Sequence, residues 1–147
     1  MMVSSLDAVL AVHTIFAALW TGGTLVLAGA VLPAARNEWL STQALSFISR
    51  RFRSLTIVSV LALLFTGGHL AGTLYTADQL QSTGRGHLVL AMVGLWLLLA
   101  VALAGGFRQL VGLPADRSAA RAATNARPWF LVGSLASLVL LIIAGLL

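Results

Sequence analysis

The sequence contains no cysteine and no lysine, and its 147 residues include only four acidic side chains. Without cysteine there can be no disulfide, thiolate zinc site, iron–sulfur cluster or thiol redox chemistry. Charge of either sign is scarce: 9% of residues are charged and 59% are apolar, where a soluble domain carries about 25% charged residues. A chain this short cannot hide so much apolar surface in a core of its own, so lipid must be the solvent for most of it. The bilayer is therefore the first partner implied, and a single transmembrane domain over residues 1–147 is the natural count.

All nine basic residues are arginines, and the net charge is +5. In a soluble protein that balance points to nucleic acid. Here the arginines sit in short segments between apolar runs, which excludes nucleic acid as a partner. The charges instead mark out the spans. Between Asp7 and Arg36 no charged residue occurs, which predicts a helix over 6–32. That stretch reaches roughly 40 Å at 1.5 Å per residue, ample for a hydrocarbon core of about 30 Å. It is not a signal peptide, because its start carries Asp7 and no arginine and its apolar run exceeds the usual ~7–15 residues. Further helices are predicted over 55–75, 87–107 and 128–147, with Pro128 at the first helical position of the last. The fold class expected is an all-α membrane protein, a four-transmembrane-helix bundle.

Loop charge sets the orientation. Residues 33–54 hold Arg36, Arg50, Arg51 and Arg53, and residues 108–127 hold Arg108, Arg117, Arg121 and Arg127. The opposite side has only Arg85. The positive-inside rule makes the arginine-rich side cytoplasmic, with both termini extracytoplasmic. A multi-pass protein of a prokaryotic plasma membrane is expected. Trp39 and Trp129 suit the inner aromatic belt and Tyr75 the outer one. Small residues let helices approach closely in lipid, and Gly22, Gly23, Gly67, Gly68, Gly72, Gly94, Gly105, Gly106 and Gly133 offer such faces. Gly68 and Gly72 form a GxxxG.

The three histidines, His13, His69 and His87, all fall in the outer half of this topology. His13 and His69 lie at matched depth, roughly 7–8 Å inside the hydrocarbon at 1.5 Å per residue. His87 lies near the interface, and Met92 returns to about the depth of the other two. An ionisable residue inside a bilayer is by default a functional hypothesis. The structural alternative is a neutral imidazole bonded to a backbone carbonyl or a neighbouring threonine. Left without partners it costs about 1–3 kcal/mol, which the apolar surplus of the first helix can carry.

The chemistry open to a histidine pair is restricted. Two imidazoles on facing helices can ligate a haem iron axially. With a methionine added they suit copper, since a thioether favours Cu(I) and imidazole binds either oxidation state. Zinc would want a carboxylate or thiolate, and the spans offer neither. Proton relay usually uses an intramembrane carboxylate, also absent from them. No phosphate loop, nucleophile–base dyad or dinucleotide fingerprint occurs, so no catalytic residue is assigned. The candidate metal or haem ligands are thus His13 and His69, with His87 and Met92 as auxiliaries. Trp20, seven residues after His13, shares its helix face and either walls a cofactor pocket or fills the bundle core. Gly22, Gly23 and Gly68 join it as candidate pocket-lining positions.

These residues resemble a known family. The run His13-Thr-Ile-Phe-Ala-Ala-Leu-Trp20-Thr-Gly22-Gly23, followed by Leu32-Pro33-Ala34, is similar to the opening helix of the CopD-type membrane domain of copper-resistance proteins. Arg50-Arg51-Phe52-Arg53-Ser54-Leu55 with Thr66-Gly67 resembles that family's second helix. Gly86-His87-Leu88-Val89-Leu90-Ala91-Met92 resembles its third, with Met92 standing where a lysine is expected. The resemblance covers about residues 8–110. More distantly the opening helix is similar to HemJ-type protoporphyrinogen oxidases, which are associated with haem b. The resemblance implies a four-helix membrane module concerned with copper passage or with haem, and it carries over His13, Trp20, Gly22 and Gly23. No soluble copper-binding domain is present, so a periplasmic copper protein or other membrane subunits are the implied partners. Three readings stand: copper handling or transport through an outer-half histidine site, a b-type haem protein, or a cofactor-free membrane assembly subunit.

Overall fold

A chain in hydrocarbon has no water to satisfy its amides, so each spanning segment must pair them internally as helix. The computed structural model, which describes residues 4–114 and 116–147, meets that demand with four long helices and one short one. These are α1 (Ser5–Arg36), α2 (Thr42–Leu74), α3 (Ala77–Ser82), α4 (Gly84–Leu110) and α5 (Ala119–Leu146). The four long helices are each long and apolar enough to cross a membrane. No strand occurs among the described residues.

The helices run further than the charge-free stretches. Ser41 caps α2, its Oγ accepting from Ala44 N–H at 3.1 Å, and Ser118 caps α5, its Oγ accepting from Arg121 N–H at 3.2 Å. Such caps satisfy amides that the first turn leaves free. The basic segments 33–54 and 108–127, expected as loops, are therefore mostly helical, and the connections shrink to 37–41 and 111–118. The 33 residues of α2 amount to about 50 Å at 1.5 Å per residue, so its arginine-bearing first turns extend past a ~30 Å hydrocarbon core.

Pro128 does not open the last helix. It lies inside α5, nine residues past the start. The alanine-rich run 119–126 forms helix readily, and the amide that proline lacks is tolerated in a membrane helix whose neighbours pack around it. Pro33 acts differently. It offers no N–H to the turn behind it, and the helix just before it widens into a π turn over Leu27–Val31, with Leu32 N–H reaching back to Leu27 O.

The four long helices form a ring in which α1 packs on α2 and α5, α5 on α4, and α4, sparsely, on α2. The two basic connections meet at one end, where Thr42 Oγ donates to Arg117 O at 3.1 Å. Near that end the core is aromatic. Phe107 of α4 lies edge-on to Phe52 of α2 (centroids 5.8 Å apart) and to Phe130 of α5 (5.7 Å). Glycine makes room for these rings. A Cβ at Gly23 would collide with the Phe52 ring, and one at Gly106 would stand 2.5 Å from Phe130 Cε2. Gly67, Gly105 and Gly133 also meet neighbouring side chains. Gly22, Gly68, Gly72 and Gly94 do not, so the GxxxG of α2 is unused within the chain.

Phe130 is fully buried between Phe107 and Gly106. Replacing it with alanine should cost about 3 kcal/mol of stability, read as a lowered unfolding midpoint in detergent micelles. Ile142→Ala on the exposed face of α5 should have little effect.

Candidate functional site

The site begins with the cap that sets the register of α1. Ser4 and Asp7 form a reciprocal capping box, with Ser4 Oγ accepting from Asp7 N–H at 3.1 Å and the Asp7 carboxylate accepting from Ser4 N–H at 3.0 Å. Two turns further on, His13 projects against α2, half-buried. Its ring lies over Gly67, where a Cβ would stand 3.1 Å from His13 Cε1. A side chain there would crowd the imidazole and push it a few tenths of an ångström away from the α2 backbone.

The hydrogen bonds around this ring assign its tautomer. Thr66 Oγ donates its single proton to Ala62 O at 2.6 Å, a bond that hydroxyls commonly make to the preceding turn. The same oxygen lies 2.8 Å from His13 Nδ1. With its proton on that bond, Thr66 Oγ is left to accept, and the hydrogen-bond network therefore assigns a proton to Nδ1. A neutral imidazole protonated at Nδ1 keeps its lone pair on Nε2. Metal-binding histidines are commonly oriented this way, one nitrogen held by an outer partner and the other free to ligate.

The other candidate residues are placed less tightly. His69 is exposed on α2, three residues past Thr66, and shares no hydrogen bond with His13. Residues three apart on a helix have Cβ atoms about 5–6 Å apart, so His69 adjoins the strip that holds the His13 ring. His87 is exposed at the start of α4, where its Nε2–H donates to Gln81 O at 2.8 Å. That bond ties the start of α4 to the last turn of α3. Met92 is half-buried and packs against the core. Trp20 is among the largest fully buried side chains, and its indole N–H has no protein partner. It fills the bundle core. Gly23 lies against Phe52, whereas a Cβ at Gly22 or Gly68 would meet nothing within 4 Å. Among the described residues no three His, Cys, Asp or Glu side chains come together as a metal cage.

Two features were not anticipated from sequence. The first is the identity of the threonine: the structural alternative for a membrane histidine, a bond to a neighbouring hydroxyl, is met at His13 by Thr66, whose back-bond to Ala62 bears on which ring nitrogen is free. The second is a polar seam on the inward face of α2, where Ser49, Thr56 and Ser59 are buried, each with a hydroxyl oxygen that has no protein partner. With Phe52, Leu63 and Thr66 they make a series spaced by threes and fours, 49–52–56–59–63–66, that a search for one buried helix face would have found. Hydroxyl oxygens are hard donors and suit Cu(I) poorly, so the seam supplies no soft ligand toward the arginine-rich end.

A ring of four apolar helices, with one oriented imidazole away from the arginine-rich end, defines a multi-pass helical membrane protein. The family model of copper resistance protein D (CopD) matches residues 47–147, and the chain belongs to that family. This makes it a copper resistance membrane protein. The match spans α2 to α5 and contains His69, His87 and Met92, while His13, Trp20, Gly22 and Gly23 precede it. It thus starts later and ends later than the resemblance read from residues 8–110. No curated protein and no solved structure matches the chain.

Thr66→Val should leave the His13 N–H unpaired and cost about 1–3 kcal/mol, while Thr66→Ser should stay close to wild type. Thermal unfolding of both variants in the same detergent checks the pairing.

Proposed function

We propose that this protein handles copper at the end of the bundle opposite the arginines, with His13 Nε2 as the primary ligand and His69 as the second. The observation that carries this reading is the chain from His13 Nδ1–H to Thr66 Oγ to Ala62 O. It orients an imidazole with a free Nε2 in a family concerned with copper. Copper is cargo here rather than a resident cofactor. One positioned imidazole with an exposed second nearby makes an open site, from which the ion can pass to another protein. Met92 and His87 are the auxiliary residues at the same end, Met92 offering a thioether suited to Cu(I) and His87 the nitrogen that its bond to Gln81 leaves free. A periplasmic copper protein is the natural exchange partner, and the site serves transport only if further ligands come from other membrane subunits.

In this reading the arginine-rich end is cytoplasmic and both termini are extracytoplasmic, in a prokaryotic plasma membrane. It is supported by the positive-inside rule and by the meeting of both basic connections at one end. An alkaline phosphatase fused after Leu147 should be active and a green fluorescent protein fused there dark. The reverse pattern would invert the topology.

Copper titrated as Cu(I) into purified protein tests the site. His13→Ala should lose most of the bound copper, and His69→Ala should weaken binding by about tenfold, the equivalent of ~1.4 kcal/mol. Unchanged copper binding in His13→Ala would sink the proposal. A Soret band in protein purified without added metal, lost in His13→Ala, would instead make His13 a haem ligand.

A further inference from the structure

The sparse contact between α2 and α4 leaves a groove of about 500 Å³ that opens toward lipid. Ile57 and Leu61 of α2 and Ala100 and Ala104 of α4 wall it, and Arg53 and Arg108 stand at its arginine-rich end. Each pair comes from one helix face, with alanines four apart on α4 opening the space that larger side chains would fill. From Arg53 to Leu61, and from Ala100 to Arg108, is about 12 Å along each helix axis. A single leaflet of a ~30 Å hydrocarbon core is only slightly deeper. No carboxylate lines the groove to neutralise the two arginines.

We propose that this groove binds one anionic glycerophospholipid of the leaflet at the arginine-rich end. The phosphate sits between Arg53 and Arg108, and an acyl chain lies along the apolar walls. Basic pockets between membrane helices commonly take acidic lipid headgroups. A zwitterionic headgroup fits less well, because its own cation opposes the arginines. A second copy of the chain fits less well too, because a two-fold contact through this groove would set four arginines together. Thr56 marks the inner edge of the groove. It lines the groove one turn below Arg53, is 7% exposed, and its hydroxyl has no partner in the protein.

Native mass spectrometry of the intact chain in detergent, titrated with phosphatidylglycerol or phosphatidylcholine of matched acyl chains, tests the site. Phosphatidylglycerol should be retained in preference, as a one-to-one adduct. Arg53→Gln/Arg108→Gln should weaken it about thirtyfold. Arg117→Gln/Arg121→Gln, with the same charge loss at the same end but outside the groove, should leave it within about threefold, the equivalent of less than ~1 kcal/mol. Ala104→Phe, which fills the wall and keeps both arginines, should also reduce the adduct. Equal loss in both double variants would show general charge attraction and overturn the proposal. So would equal retention of the two lipids, an Ala104→Phe variant that binds like wild type, or a lipid-independent dimer that Ala104→Phe dissolves. Unfolding midpoints of all variants, measured alongside, separate lost binding from lost structure.

Discussion

Hydrocarbon leaves a polar group no partner but the protein itself, and that constraint shapes the backbone and most hydroxyls of this chain, the unpartnered seam of α2 excepted. It forces the backbone into helices. It then acts on the side chains: Thr14, Thr21, Thr24, Thr66, Thr73 and Ser134 each turn a hydroxyl back to the carbonyl four residues before. For Thr66 this local economy has a longer reach. Once its proton is given to Ala62, its oxygen can only accept, and the histidine facing it must donate from Nδ1. The free nitrogen of His13 is thus set by a threonine 53 residues away in sequence.

The same constraint explains the two ends of the molecule. At the arginine-rich end the helices are longer than a ~30 Å hydrocarbon core requires, and their arginines, such as Arg36 closing α1 and Arg108 closing α4, lie toward that end. Just inside, phenylalanines pack on glycines, as expected where helices associate by close contact rather than by a hydrophobic drive. Toward the other end the packing loosens around His13, and His69 lies exposed. A site for passing cargo suits the looser end, and membership of the copper resistance protein D family makes copper the cargo the proposal addresses.

Much of the fold was legible in the sequence. The number of spans followed from charge-free runs, because no soluble segment of this length avoids charge. The ends of the helices did not follow, because arginines read as loop by charge alone, although Ser41 and Ser118 signalled the true starts. Pro128 misled for a related reason: proline marks a first turn in water, yet a packed membrane helix carries it inside. The site was half legible. Rise per residue gives depth, and depth alone paired His13 with His69. It does not give angle around the helix, and Thr66 and His69 differ by about 60° in direction and about 4.5 Å in height. Thr66 rather than His69 therefore meets the imidazole.

The proposed copper site depends on which nitrogen of His13 carries its proton. Nitrogen-15 spectra of histidine-labelled protein in lipid, assigned by comparison with His13→Ala, read that directly. The account predicts a His13 resonance pair with Nδ1 protonated and Nε2 bare, and with Nε2 alone shifting when a diamagnetic Cu(I) source is added. A His13 ring protonated at Nε2, with Cu(I) leaving both resonances in place, would contradict it.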